Sequence, residues 1–173
     1  MTPILRLTCA APATLLILAA AASAPAARAD VVTDWNERAM AAMIAEGPAV
    51  ATSGTGTSRT LAMVHIAMAE AVNATGRKFK PYLSSVPAAA GASAEAAAHA
   101  AARGVLVELL PKQKAAVEGA YLSAIGKVAD GPAKSAGIAA GESAAQTIVA
   151  QRKSDGAFGS PDTYRPQIGR AHV

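Results

Sequence analysis

Histidines, a run of Gly, Ser and Thr, and a short basic cluster are the parts of this chain whose residue types could do chemistry. His65 could act as a metal ligand or a general base. A ligand set on a helix needs a second donor three or four residues away, and Glu70 stands five residues on, on a different side of the turn. No other His, Cys or Asp has a spacing suited to metal, so His65 reads as a core histidine hydrogen-bonded to a backbone or loop group. His99, in an alanine-rich stretch near Arg103, reads as a partly exposed helix residue. The run Ser53-Gly54-Thr55-Gly56-Thr57-Ser58 precedes a helix and could cradle an anion on free backbone N–H groups. It lacks the lysine of a phosphate-binding loop, which favours a flexible capped connector. Arg77, Lys78 and Lys80 could meet phosphate or a membrane surface, with a solvated loop as the ordinary explanation. Serines are plentiful, yet none pairs with a base to make a nucleophile. These patterns assign no catalytic, cofactor-binding or metal-binding residue.

The elements that would carry these residues are helical. Hydrophobic residues make up 52% of the chain, most of them alanine, and aromatic residues 3%. Alanine is the best helix former and has little side-chain volume, so the composition favours closely packed helices over branched strands. The pattern predicts an all-α bundle of about five helices with no sheet. In the first, Asp34 caps a helix carrying Trp35, Met40, Met43 and Ile44 on one apolar face, and Gly47-Pro48 stops it. After a polar loop from Thr52 to Ser58, Thr57 or Ser58 caps a second helix in which Leu61, Val64, His65, Met68 and Val72 recur at helical spacing. The stretch from Gly76 to Pro87 reads as an ordered loop with Phe79, Tyr82 and Leu83 tucked under the bundle. Ser93 caps a third helix, 94–110. A fourth spans 112–128 with Val117, Tyr121, Leu122 and Ile125 on one face, and Asp130-Gly131-Pro132 is the cap and turn into a fifth, 132–152. In that last helix Gly137 and Gly141 permit another helix to approach closely.

The ends of the chain read differently. Arg6, the apolar stretch from Ala10 to Ala22 and the small-residue close Ala27-Arg28-Ala29 have the form of an export signal over residues 1–29, cleaved before Asp30. Its apolar core is shorter than the roughly 20 residues a membrane span needs. Cleavage would remove Cys9, Arg6 and Arg28, leaving 14 of the 16 basic residues against 12 acidic ones, a charge of +2, and no cysteine for a disulfide. So small an imbalance argues against a nucleic-acid-binding surface. The expected location is periplasmic or secreted, with no stable membrane insertion after cleavage. The final six residues, 168–173 (Ile168-Gly169-Arg170-Ala171-His172-Val173), have no amphipathic period or cap. They resemble the in-frame translation of a sequencing adapter and are expected to be a non-native tail, which removes His172 from any functional argument.

Taken in order, several landmarks resemble a family. Asp34-Trp35-Asn36, the run from Ser58 to Met68, Ala71-Val72-Asn73, Pro81-Tyr82, Ala97-Ala98-His99-Ala100, Leu110-Pro111, Tyr121, Gly141, Asp155-Gly156 and Tyr164-Arg165-Pro166 together look like the N-terminal helical part of bacterial vanadium-dependent haloperoxidases, of the type 2 phosphatidic acid phosphatase superfamily. The resemblance runs over nearly all of residues 30–167. Ala69-Glu70 departs from it, since the family commonly has a bulky residue followed by Asp there. What the resemblance implies is a scaffold whose oxyanion site lies in a later segment. There a Lys, two Arg, a Ser-Gly-His stretch and a final His would hold vanadate or phosphate, and vanadate would drive oxidation of halide by peroxide. Lys153 is too far from Arg165-Pro166 to match the family's spacing, and Ser-Gly-His is missing from the sequence, so no catalytic residue carries over. The expectation is therefore an inactive N-terminal domain, 30–167, whose partners would be the C-terminal half of the same chain and, as an open option, a second copy, with vanadate in the full-length parent only. Two alternatives stay open: a fragment of a related acid phosphatase, and a non-enzymatic periplasmic helical interaction module.

Overall fold

Alanine and glycine set how close the helices come, and the architecture follows from that spacing. The computed structural model describes residues 30–51, 54–83 and 86–157; the expected signal segment, Thr52, Ser53, Tyr164-Arg165-Pro166 and the six-residue tail lie outside them. The described residues form α1 (Val31–Glu46), the single turn α2 (Pro48–Ala51), α3 (Gly54–Gly76), α4 (Ala94–Leu109), a 3-10 turn (Pro111–Gln113), α5 (Lys114–Ile125) and α6 (Pro132–Arg152), with no strand among them. The protein is all-α, with five long helices in a bundle.

α4 is the central rod. Ala96 through Ala102 are all buried, His99 included, as are Val105 and Leu106, so this helix is covered on every side. It packs most extensively on α6 and next on α3, and α6 also touches α3. The α4–α6 seam is built from residues without bulk. A Cβ placed on Gly137 would collide with Ser93 O and lie 3.0 Å from Ala96 Cβ. One on Gly141 would collide with Ala97 O and lie 2.7 Å from Ala100 Cβ, and one on Gly104 would lie 2.6 Å from Ala145 Cβ. The contacting numbers rise together along both helices, so α4 and α6 run parallel, and α5 is the return between them. Past this narrow stretch Val105, Leu106, Ile148 and Val149 fill the wider end of the seam.

Local signals explain most boundaries. Ser93 caps α4 by accepting from Ala96 N, as its position predicts, and Ser93 N donates to Ala133 O at 2.8 Å, joining the starts of α4 and α6. Gly47 and Gly131 hold φ of 136° and 147°, which side chains resist, and each precedes a proline that opens the next helix.

Elsewhere the boundaries differ from expectation. The cap of α1 is Asp30, not Asp34: Asp30 Oδ1 accepts from Thr33 N at 2.8 Å and from Thr33 Oγ1 at 3.1 Å, so the helix starts a turn earlier and Asp34 sits in its first turn, where its charge suits the helix dipole. The expected polar loop before α3 is helical over its described part. Thr57 Oγ1 donates back to Val50 O and Ser58 Oγ to Gly54 O, so these side chains bond preceding carbonyls instead of capping. The fourth helix is split at its start by the 3-10 turn and ends at Ile125, where Lys127 N and Val128 N donate to carbonyls three residues back and tighten the turn. Asp130 does not cap α6; its carboxylate takes the Lys134 ammonium at 2.8 Å. Of the expected apolar faces, Trp35, Met43, Val64, Met68, Val117, Tyr121 and Ile125 are buried, whereas Met40, Ile44, Val72 and Leu122 are exposed. Leu83 is buried, but Phe79 and Tyr82 stand in solvent because the loop is held by its backbone.

Two glycine-to-alanine substitutions separate helix propensity from seam geometry. Gly119 on α5 has open space around it, so Gly119→Ala should stabilise by about 0.5–1 kcal/mol through propensity alone. Gly141→Ala makes the same propensity gain but drives a methyl into the α4 backbone, a cost of about 1–3 kcal/mol or more, so the net effect should be destabilising. Urea unfolding midpoints of the two variants should move in opposite directions.

Candidate functional site

The histidines sit where α1 meets the rest of the bundle. Trp35 and Asn36 are neighbours on α1, and their side chains leave the helix about 100° apart, so they reach different helices. Trp35 Nε1 donates to His99 Nδ1 on α4 at 2.8 Å, and His65 Nε2 on α3 donates to Asn36 Oδ1 at 3.1 Å. His99 is buried, 5% exposed, against the expectation of a partly exposed residue: it lies on the face of α4 that α1 covers, and the Trp35 ring meets it edge-on at 6.2 Å between centroids. Burial holds the His99 pKa below its ordinary value, opposed by Glu95, whose Oε1 lies 3.8 Å from Nε2. Nearby Arg38 adds to the lowering and Asp34 opposes it. His99 is therefore neutral, with Nδ1 as the acceptor and the proton on Nε2. The half-buried His65 finds its partner in a side chain rather than in the backbone or loop group expected.

A second feature lies along α3. His65, Met68, Ala69, Val72, Asn73 and Gly76 form one stripe of the helix, and beside it opens a mostly apolar groove of about 590 Å³. The segment after α3 closes one end. Arg77 takes a positive φ of 47° as its N–H bonds back to Asn73 O, which turns the chain sharply. The Asn73 side chain then holds Phe79 by both backbone groups, accepting from Phe79 N and donating to Phe79 O, each at 3.0 Å. Arg77 donates to Val86 O at 2.6 Å. Glu70 reaches the other way and accepts from Tyr82 N at 2.9 Å and Leu83 N at 3.2 Å, so a buried carboxylate anchors the loop. The basic residues at 77, 78 and 80 thus belong to a hook held in place by Asn73 and Glu70.

Four other cations, Arg59, Arg103, Lys134 and Lys153, are engaged by carboxylates. Arg103 makes a two-point contact with Glu118, at 2.7 and 3.0 Å, reaches Glu142 at 3.4 Å and lies over the Tyr121 ring. The Arg103 hydrogen bond holds the Glu118 carboxyl below the usual range, while burial pushes the Tyr121 hydroxyl up. Arg59 joins α3 to the end of α6 by bonding both oxygens of Asp155 and Arg152 O, and Arg152 bonds Tyr82 Oη. Reading the sequence did not find these ties, or the burial of His99, because their partners are 15 to 96 residues apart and lie on other elements; Glu70, off the apolar stripe read from the sequence, carried no local signal.

Arg59 and Arg103 face carboxylates rather than an open anion pocket. No group of three or more His, Cys, Asp and Glu among them could hold a metal ion, and no described helix is long and apolar enough to cross a membrane. Fold and site together define an all-α bundle with polar interhelix ties and one elongated apolar groove. No protein-family model matches the chain, and no curated protein or solved structure is significantly similar to it.

The depressed His99 pKa carries a sign. In the unfolded chain the imidazole takes a proton near pH 6.5, whereas the folded chain resists it to lower pH. The stability gained from neutral His99 is present in full above pH 6.5 and is lost as pH falls through the folded value. Urea midpoints measured between about pH 8 and 5 should therefore fall on the acid side, and His99→Asn, which keeps an acceptor but cannot titrate, should flatten that decline.

Proposed function

We propose that this chain is the helical support of an exported protein related to vanadium-dependent haloperoxidases, positioning an oxyanion site formed by a later segment of the same polypeptide. The observation that carries this reading is what the resembling residues do. Trp35 and His99, Asn36 and His65, Asn73 and the Phe79 backbone, and Asp155 and Arg59 pair with one another across elements. Residues committed in this way hold helices in register and leave the chemistry to another part of the protein. Met40 and Ile44, one turn apart on α1, and Leu122 on α5 are exposed and offer apolar surface for such a segment to cover. Under this reading residues 1–29 are an export signal, the protein works in the periplasm or outside the cell, and vanadate belongs to the full-length parent.

Two measurements test it. Sequencing the gene past the codon for Pro166 should reveal a continuing frame with a Lys, an Arg-Pro, a Ser-Gly-His and a final His; a stop codon directly after Pro166 would overturn the proposal. Assayed as it stands with vanadate, peroxide and bromide, or with a phosphoester, the chain should show no turnover above the protein-free rate. Turnover that disappears in His65→Ala or His99→Ala would place the chemistry within the bundle and end the scaffold reading.

A further inference from the structure

The groove on α3 has features that a packing defect does not explain. Its floor follows the helix from His65 to Gly76, about 16 Å at 1.5 Å per residue, so it is elongated rather than round. Ala69 puts only a methyl on that floor, and Met68 and the exposed Val72 and Phe79 supply apolar walls. Its polar lining groups are largely occupied within the chain: His65 by Asn36, Asn73 by the Phe79 backbone, and Thr75 Oγ1 by Val72 O. The cations stand at one end only. A Cβ on Gly76 would lie 3.8 Å from Lys78 Cγ and 3.9 Å from its Cε, which shows the lysine stem folded back across the end of α3. Arg77 belongs to the same lining, and its guanidinium has donors beyond the one given to Val86 O. The groove is therefore apolar along its length and positive at its hook.

We propose that it binds a linear aliphatic carboxylate, with the chain along the α3 stripe and the carboxylate paired with Lys78 and Arg77. The charge matches a single anion. The hook sits at the C-terminus of α3, where backbone carbonyls carry partial negative charge and oppose a dianion more than a monoanion. A straight chain follows the stripe, whereas a fused-ring ligand of the same volume would not. This site is independent of the scaffold reading and stands or falls by different measurements.

Isothermal titration of the full chain with decanoate tests it. Decanoate should bind saturably at one site, and decyltrimethylammonium, with the same chain and the opposite charge, at least about tenfold more weakly. Butanoate, with little chain to bury, should also bind at least about tenfold more weakly. Ala69→Trp fills the floor and should abolish decanoate binding, and Lys78→Glu should weaken it by about tenfold or more. Both positions are exposed, so each variant should keep the helical circular dichroism of the parent; if Ala69→Trp loses it, Lys78→Glu alone decides. Lack of saturable binding, equal affinity for the cationic amphiphile, or decanoate binding unchanged in a folded variant would each overturn the proposal.

Discussion

The contact on which the rest of this bundle depends is the parallel approach of α4 and α6. Glycine at 137, 141 and 104 and alanine at 96, 97, 100 and 145 bring two backbones closer than larger side chains would allow. Alanine removes little apolar area per residue when it is buried, so the gain must come from many short dispersion contacts made at once. Such a gain is steep in distance: a small outward shift of α6 forfeits much of it along the whole seam. A core of this type therefore tolerates less overpacking than one of leucine and isoleucine, which can repack around an added methylene. The parallel direction has a topological consequence, since a return element is required and α5 supplies it. Arg103 on α4 binds both Glu118 on α5 and Glu142 on α6, tying that return to the two helices it connects.

α1 is held by a different kind of interaction. It packs less extensively on α3 and α4 than those helices pack on α6, and neighbouring residues Trp35 and Asn36 anchor it to one histidine on each. A buried hydrogen bond contributes about 1 kcal/mol net, and an orphaned partner costs about 1–3 kcal/mol, so these bonds matter more as a register than as a source of stability. Slipping α1 by one residue would strand Trp35 Nε1 and His99 Nδ1 together in an apolar environment. The neutral state of His99 is part of the device, because a protonated ring would offer Trp35 no acceptor.

Much of the fold is visible in sequence where the signal is local. Ser93, Pro111, Gly131-Pro132 and the spacing of Gly137 and Gly141 act within a turn or two of themselves, and the bounds of α4 and α6 follow from them. Asp30 and Asp34 show the limit of that reasoning: both are sound caps by type, and the choice rests on Thr33 offering both its N–H and its hydroxyl to Asp30. The candidate site is less legible. His99 looks like a surface residue among alanines until α1 is laid over it, and Glu70 looks like a solvated acid until the loop turns back toward it. In both cases a partner distant in sequence changes what the residue does, and a periodicity of 3.6 carries no information about that partner. The groove is hidden for the same reason, since its end wall is made by Asn73 holding Phe79 across the Arg77 turn.

The charge arrangement bears on what a bundle of this kind can contribute to anion chemistry. Arg59 and Arg103 are matched to Asp155, Glu118 and Glu142, and Lys134 and Lys153 face Asp130 and Glu108. Paired charges produce fields that fall off over a few ångströms, and salt screens the remainder over about 8–10 Å. Under the scaffold proposal the positive potential needed to hold an oxyanion must then arise from cations in the later segment itself, brought together by docking against this surface. The bundle would act through geometry alone, and its substitutions would change activity by misplacing that segment rather than by altering the charge at the reacting centre. The hook at Arg77 and Lys78 is the exception in this pattern. Its cations lie beside an apolar groove and no described carboxylate is bonded to them, which leaves attraction for an anion from outside.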